Sequence, residues 1–148
     1  MRCRRVIVFV WRWNIPTARA PAALAQLDSA RQFAIDSARL IADTRCSRIV
    51  VLDVSGVSPI TDFLVIASGT SPRQMKTACD SVEEMAEPRN FRALSRSGDT
   101  TSNWTCIDFV DVVIHVFSTE ARRFYDLEGM WGDATRVSWE PTSDPAVK

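Results

Sequence analysis

Apolar positions along the chain fall into helical stripes and short continuous runs. Ala30, Phe33, Ala34, Ala38, Ile41 and Ala42 recur at helical spacing, which predicts a helix over Ser29–Asp43 capped by Asp28. Ile49-Val50-Val51-Leu52 and Phe63-Leu64-Val65-Ile66-Ala67 are unbroken apolar runs, as in strands covered on both faces. Asp53 to Ile60 lies between them, carries Gly56 and Pro59, and reads as a connection. Ser71 and Pro72 mark the next helix start: a side-chain cap, then a proline whose missing N–H costs nothing at the first position. Met75, Ala78, Cys79, Val82 and Met85 form that helix's buried stripe, and Pro88 ends it. Phe91 to Ser97 reads as a third strand and Gly98 to Asn103 as a polar turn. Trp104–Phe109 and Val112–Phe117 follow as the fourth and fifth strands. Ser118 or Thr119 caps a last helix through Met130. Phe124, Leu127 and Trp131 share its core-facing side, and Tyr125 and Glu128 a neighbouring one.

The order α-β-β-α-β-β-β-α predicts an α/β domain, a single mixed five-stranded sheet with helices packed on it. The domain should span 28–137, between a leader at 1–27 and a polar, proline-bearing tail at 138–148 that frays.

Charge changes this picture only through its placement. The net is +0, but residues 1–27 hold five arginines and no acid, leaving thirteen basic against eighteen acidic side chains, a net of −5, in the rest. An acidic body argues against wrapping a phosphate backbone and suits a basic protein partner. The leader reads as a disordered extension or an early start codon in preference to an organellar import segment. Its Pro16 and Pro21 speak against a folded role. No run approaches the roughly 20 apolar residues of a membrane span. Cys3, Cys46, Cys79 and Cys106 stand far apart, with one histidine in the chain. That excludes a zinc quartet at the usual spacings and reads as buried thiols in a reducing compartment.

The candidate chemistry is thin. Gly69-Thr70-Ser71, at a strand-to-helix junction, is similar to the Gly-Ser motif of nucleotidyltransferases, where helix N–H groups cradle phosphate. Those enzymes also need an Asp-x-Asp pair for metal, and the chain has none. A plain capped turn is the preferred reading and a nucleotide-binding or nucleotidyltransferase-type enzyme the rival. His115 shares a strand face with Val113 and Phe117, with Asp111 as an available orienting acid. No nucleophile motif marks a partner, so it reads as a structural or surface-edging histidine. Asp108 and Asp111 bracket the turn between the last two strands and read as turn or ion-pair residues before metal ligands. Trp104 is balanced between core packing and a contact role.

Taken in order, several segments resemble the ribosomal silencing factor family, also called Iojap-related. They are Ile60-Thr61-Asp62-Phe63; Ile66-Ala67-Ser68-Gly69-Thr70-Ser71; Trp104 with Asp108; Asp111-Val112-Val113-Ile114-His115-Val116-Phe117; Phe124-Tyr125-Asp126-Leu127-Glu128; and Trp131-Gly132-Asp133-Ala134. The resemblance covers about residues 28–137. It implies a nucleotidyltransferase-like fold without the catalytic metal acids, and so no enzyme activity, no cofactor and no metal. It also implies binding to the large ribosomal subunit at the protein numbered fourteen on its intersubunit face. Occupying that face would block the small subunit from joining and repress translation when nutrients fall. The family is also reported to form homodimers. The expected partner-binding residues are Trp104, Asp108, Asp111 and His115 around the hairpin, with Tyr125, Glu128 and Trp131 on the last helix. Two positions depart from the family: Val110 stands where glycine is usual, which predicts a wider turn or one of another type, and Gly129 replaces a residue that is commonly basic or long.

Overall fold

The computed structural model describes residues 21–98 and 101–142. Pro21 occupies the first position of α1 (Pro21–Asp43), so the helix starts well before Asp28. Pro21-Ala-Ala-Leu-Ala-Gln-Leu is rich in strong helix formers. Leu27 packs on the core, and Gln26 Nε2 donates to Asp111 Oδ2 at 3.0 Å. Residues 1–20, most of the expected leader, lie outside the described residues.

Strands β1 (Ser47–Asp53) and β2 (Phe63–Gly69) follow, then α2 (Pro72–Ala86), which Ser71 caps by accepting from the Gln74 N–H. A short 3-10 turn at Glu87–Arg89 leads to β3 (Ser95–Ser97), β4 (Trp104–Asp108) and β5 (Val112–Ser118). Two short helices, α3 (Thr119–Tyr125) and α4 (Leu127–Met130), precede β6 (Thr135–Val137).

The sheet has six strands in the order β3-β4-β5-β2-β1-β6, so the expected five-stranded sheet is corrected by one. β2 and β5 run parallel from Phe63↔Val112 to Gly69↔Ser118, and the other neighbours are antiparallel. The sixth strand escaped the sequence because three residues carry no readable alternation. Only Ser95–Ser97 of the expected third strand pairs. Phe91 instead stacks on Phe33 with ring centroids 4.2 Å apart. Fraying does not begin at Ser138 either, because Trp139 Nε1 donates to the Ile49 carbonyl at 3.2 Å and Arg39 Nε donates to the Trp139 carbonyl at 2.8 Å.

Alternation along the strands divides the interior in two. One face sends Val51, Phe63, Val65, Ile107, Val112, Ile114 and Val116 against α1 and α2. The other sends Leu52, Leu64, Ile66 and Phe117 against α3, Leu127 and Trp131. Central β2 is buried along its whole length, because both faces are covered there. The outer cover is short, so β4 and β3 extend beyond it.

Candidate functional site

The candidate site is this outer face at β4 and β5. Register sets it: Trp104 lies opposite Phe117, Cys106 opposite His115, and Asp108 opposite Val113. All six side chains therefore project on one side. Ser118 ends β5 and caps α3 by accepting from the Ala121 N–H at 3.2 Å, which swings Tyr125 over Trp104. Ring centroids of Trp104 lie 5.0 Å from Phe117, 4.8 Å from Tyr125 and 5.8 Å from His115. Phe124 meets Tyr125 edge-on at 5.1 Å. Phe117 is fully buried and Trp104 half-buried, while Tyr125 is 47% and Phe124 82% exposed. The result is an aromatic ledge rooted in the core and open at its rim.

His115 sits at the base of this ledge, 9% exposed. Its Nδ1 accepts from the Trp104 indole N–H at 3.2 Å. Burial pushes its pKa down to about 4, with the Asp108 charge pulling weakly the other way, so the ring is neutral near pH 7. Among the described residues no nucleophile is hydrogen-bonded to it, and the geometry is that of a structural histidine.

The last helix is not continuous. Asp126 has φ 43° and ψ 53°, ends α3, and caps α4 by accepting from the Gly129 N–H at 3.3 Å. This break corrects the sequence reading of Phe124. On one unbroken helix it would align with Leu127 and Trp131. The break leaves those two packed on the outer cluster and turns Phe124 to solvent. The break was legible in principle, since aspartate is among the residues most favoured at a helix N-cap. Glu128 is also committed inward. Its Oε1 accepts from Arg122 Nε at 2.9 Å and Nη2 at 2.7 Å, and Arg136 lies 3.4 Å from its other oxygen. Arg122 is 7% exposed and also donates to Ser68 Oγ and the Arg48 carbonyl. This part-buried clasp ties the α3–α4 corner to β1 and β2.

At the hairpin tip, Val110 has φ 73° and the Asp111 N–H donates to the Phe109 carbonyl at 3.0 Å. That is a three-residue γ-turn, so of the two expected outcomes the turn is of another type and not wider. Valine takes the positive φ that usually selects glycine, and the strain stays in the loop. Asp108 Oδ1 steadies it by accepting from the Val110 N–H at 2.7 Å. Asp111 points away from the ledge toward Gln26 of α1. The structure thus brings together Trp104, His115 and Tyr125, places Asp108 at the end of the same face, and sets Asp111, Glu128 and Trp131 in separate roles. Phe124, assigned by the sequence reading to the core, completes the face with Cys106 and Val113, and none of the three was among the expected partner-binding residues.

The Gly69-Thr70-Ser71 turn satisfies itself. Gln74 Oε1 accepts from the Thr70 N–H at 2.7 Å and from its hydroxyl at 3.0 Å, which occupies a donor that a phosphate would need. A Cβ on Gly69 would sit 2.4 Å from the Met75 side chain, so glycine is required by packing. Among the described residues no group of three His, Cys, Asp or Glu is placed to hold a metal. Cys46 and Cys79 are free and buried, with Cys79 pushed up to about 12 by burial. No helix among the described residues is long and apolar enough to cross a membrane.

Fold and site define an α/β domain with one helix-covered sheet face and one face that carries an open aromatic rim. A family model described as "Ribosomal silencing factor during starvation" matches residues 27–148. The ribosomal silencing factor of Halalkalibacterium halodurans is 34% identical over 98 residues, covering 66% of this chain and 84% of that protein. The Mus musculus protein named "Mitochondrial assembly of ribosomal large subunit protein 1" is 33% identical over 86 residues, covering 56% of this chain and 38% of that protein. A crystal structure of a Chromobacterium violaceum protein superposes with a TM-score of 0.65 at 25% identity, covering 80% of this chain and 97% of that one. The chain belongs to the ribosomal silencing factor family.

Proposed function

We propose that this protein is a non-enzymatic translation repressor. It docks on the large ribosomal subunit, at the protein numbered fourteen on the intersubunit face, and excludes the small subunit by occupying that surface when nutrients fall. Family membership supports the ribosomal role, and the large-subunit name of the mouse relative supports the side of the ribosome. The observation that carries the geometry is the ledge of Trp104, Tyr125 and Phe124 on a sheet face left half uncovered. Aromatic rings already packed at their base lose little entropy on binding and form good hot spots. Asp108 and the net −5 of residues 28–148 suit a basic partner. Asp111, His115, Glu128 and Trp131 then hold this surface in place or edge it.

The same reading gives the domain a nucleotidyltransferase-like fold whose phosphate turn has been closed by Gln74. It places the protein in the cytoplasm, or in an organelle if the leader directs import, and allows a homodimer. Co-sedimentation on sucrose gradients tests the central step. The protein should travel with large subunits and be absent from joined ribosomes. If it stays at the top of the gradient, the reading fails.

A further inference from the structure

We propose that His115 is a positioning residue that acts through Trp104, fixing which edge of the indole the protein presents to its partner. This rests on the docking role given to the Trp104 ledge above. Trp104 starts β4 and His115 lies mid-β5, diagonal neighbours on one face, because Trp104 is opposite Phe117 and His115 opposite Cys106. Stacking on Phe117, with centroids 5.0 Å apart, and a tilted contact with Tyr125 at 4.8 Å set the plane of the indole. Stacking alone leaves the ring free to turn over within that plane, since both faces and all edges of an indole are apolar except at one atom. That atom is Nε1, which can only donate. His115 Nδ1, 3.2 Å away, is the acceptor that holds it.

The imidazole is well placed for this task. It stacks parallel to Phe117, with an interplanar angle of 12° and centroids 6.0 Å apart, so its own orientation is fixed by the core. Accepting at Nδ1 requires a neutral ring with its proton on Nε2. Burial keeps it neutral across the physiological range. Without the acceptor, the indole N–H at a half-buried position must turn toward water, which moves the benzo edge of Trp104 out of the place where a partner would meet it. His115 therefore shapes the contact surface while contributing almost no exposed area of its own.

Two substitutions separate this role from simple packing. His115→Phe keeps an aromatic ring against Phe117 and removes the acceptor. His115→Asn puts an amide oxygen near the Nδ1 position and restores it. Three properties of the full chain are measured: the Trp104 indole N–H resonance, assigned with Trp104→Phe; the thermal midpoint; and binding to purified large subunits. In His115→Phe the indole resonance should shift and binding should weaken roughly tenfold, the scale of one lost hydrogen bond at a packed contact. The thermal midpoint should stay near the parent value. His115→Asn should return both the resonance and binding to within about twofold. An unshifted resonance in His115→Phe, or a shift without loss of binding, overturns the proposal. Loss of binding in both variants alike also overturns it. If Trp104→Phe and Trp104→Ala both bind as the parent does, the docking role of the ledge has failed instead, whatever the resonance reports.

Discussion

On the inner face of the sheet, helices of 23 and 15 residues lie over Phe63, Val65 and Ile107, all fully buried. On the outer face, helices of seven and four residues cover Leu52, Leu64 and Phe117 and leave Tyr125 and Phe124 at an open rim. The same strands supply both faces, because alternate side chains point opposite ways. The inner face buries apolar area to stabilise the domain. The outer face is held in position by polar fixings: the Arg122–Glu128 clasp, the Asp126 cap and the Trp104–His115 hydrogen bond. Such fixings hold geometry while leaving surface free for recognition.

The comparison breaks if the two faces respond alike to substitution. Phe33→Ala removes a ring stacked on Phe91 and edge-on to Phe109. It should destabilise the domain by about 3–5 kcal/mol in denaturant unfolding. The outer face should show its polar character in pH dependence. His115 takes a proton near pH 6.5 in the unfolded chain and only near 4 in the folded one. Its neutral form is favoured by folding, so the contribution is complete above pH 6.5. It is lost as pH falls to 4, about 3 kcal/mol in all. Stability measured from pH 7 to 4 should fall more steeply in the parent than in His115→Phe, and equal slopes would remove the effect.

Smaller changes sharpen the contrast. Val110→Gly should stabilise the protein by about 1 kcal/mol, since relief of the positive φ exceeds the added freedom of glycine in the unfolded chain. A lower thermal midpoint in that variant would contradict the strain argument. Phe124→Ala should change stability by less than about 0.5 kcal/mol, because the ring is already 82% exposed, yet weaken large-subunit binding about tenfold. Calorimetry and gradient binding on one sample would check both halves of that expectation.

Long periodic segments were legible in the sequence. The stripe from Ala30 to Ile41, the unbroken run of β2 and the Ser71-Pro72 start are each fixed by local chemistry, and the structure has them where the pattern puts them. What the pattern missed depends on single residues or distant partners. Asp126 breaks a helix whose apolar spacing reads as continuous, and that one dihedral turned Phe124 from core to surface. β6 has three residues and is defined by its pairing with β1 at the other end of the domain, where Val137 lies opposite Val51 and Thr135 opposite Asp53. Phe91 left the third strand for a stacking partner on α1. Of the site, Trp104, His115 and Tyr125 were named together from the chain, but their arrangement was not. Glu128 looked free because nothing in the sequence announces that Arg122, six residues before it, is buried.

Exclusion of the small subunit by the aromatic ledge, as proposed above, is open to a direct test. Light scattering of purified subunits after mixing measures joining directly. Protein added in excess over large subunits should suppress the rise in scattering, and Trp104→Ala, shown by circular dichroism to be folded, should restore most of it. Full suppression by the folded Trp104→Ala variant, or no suppression by the parent protein, would contradict the account.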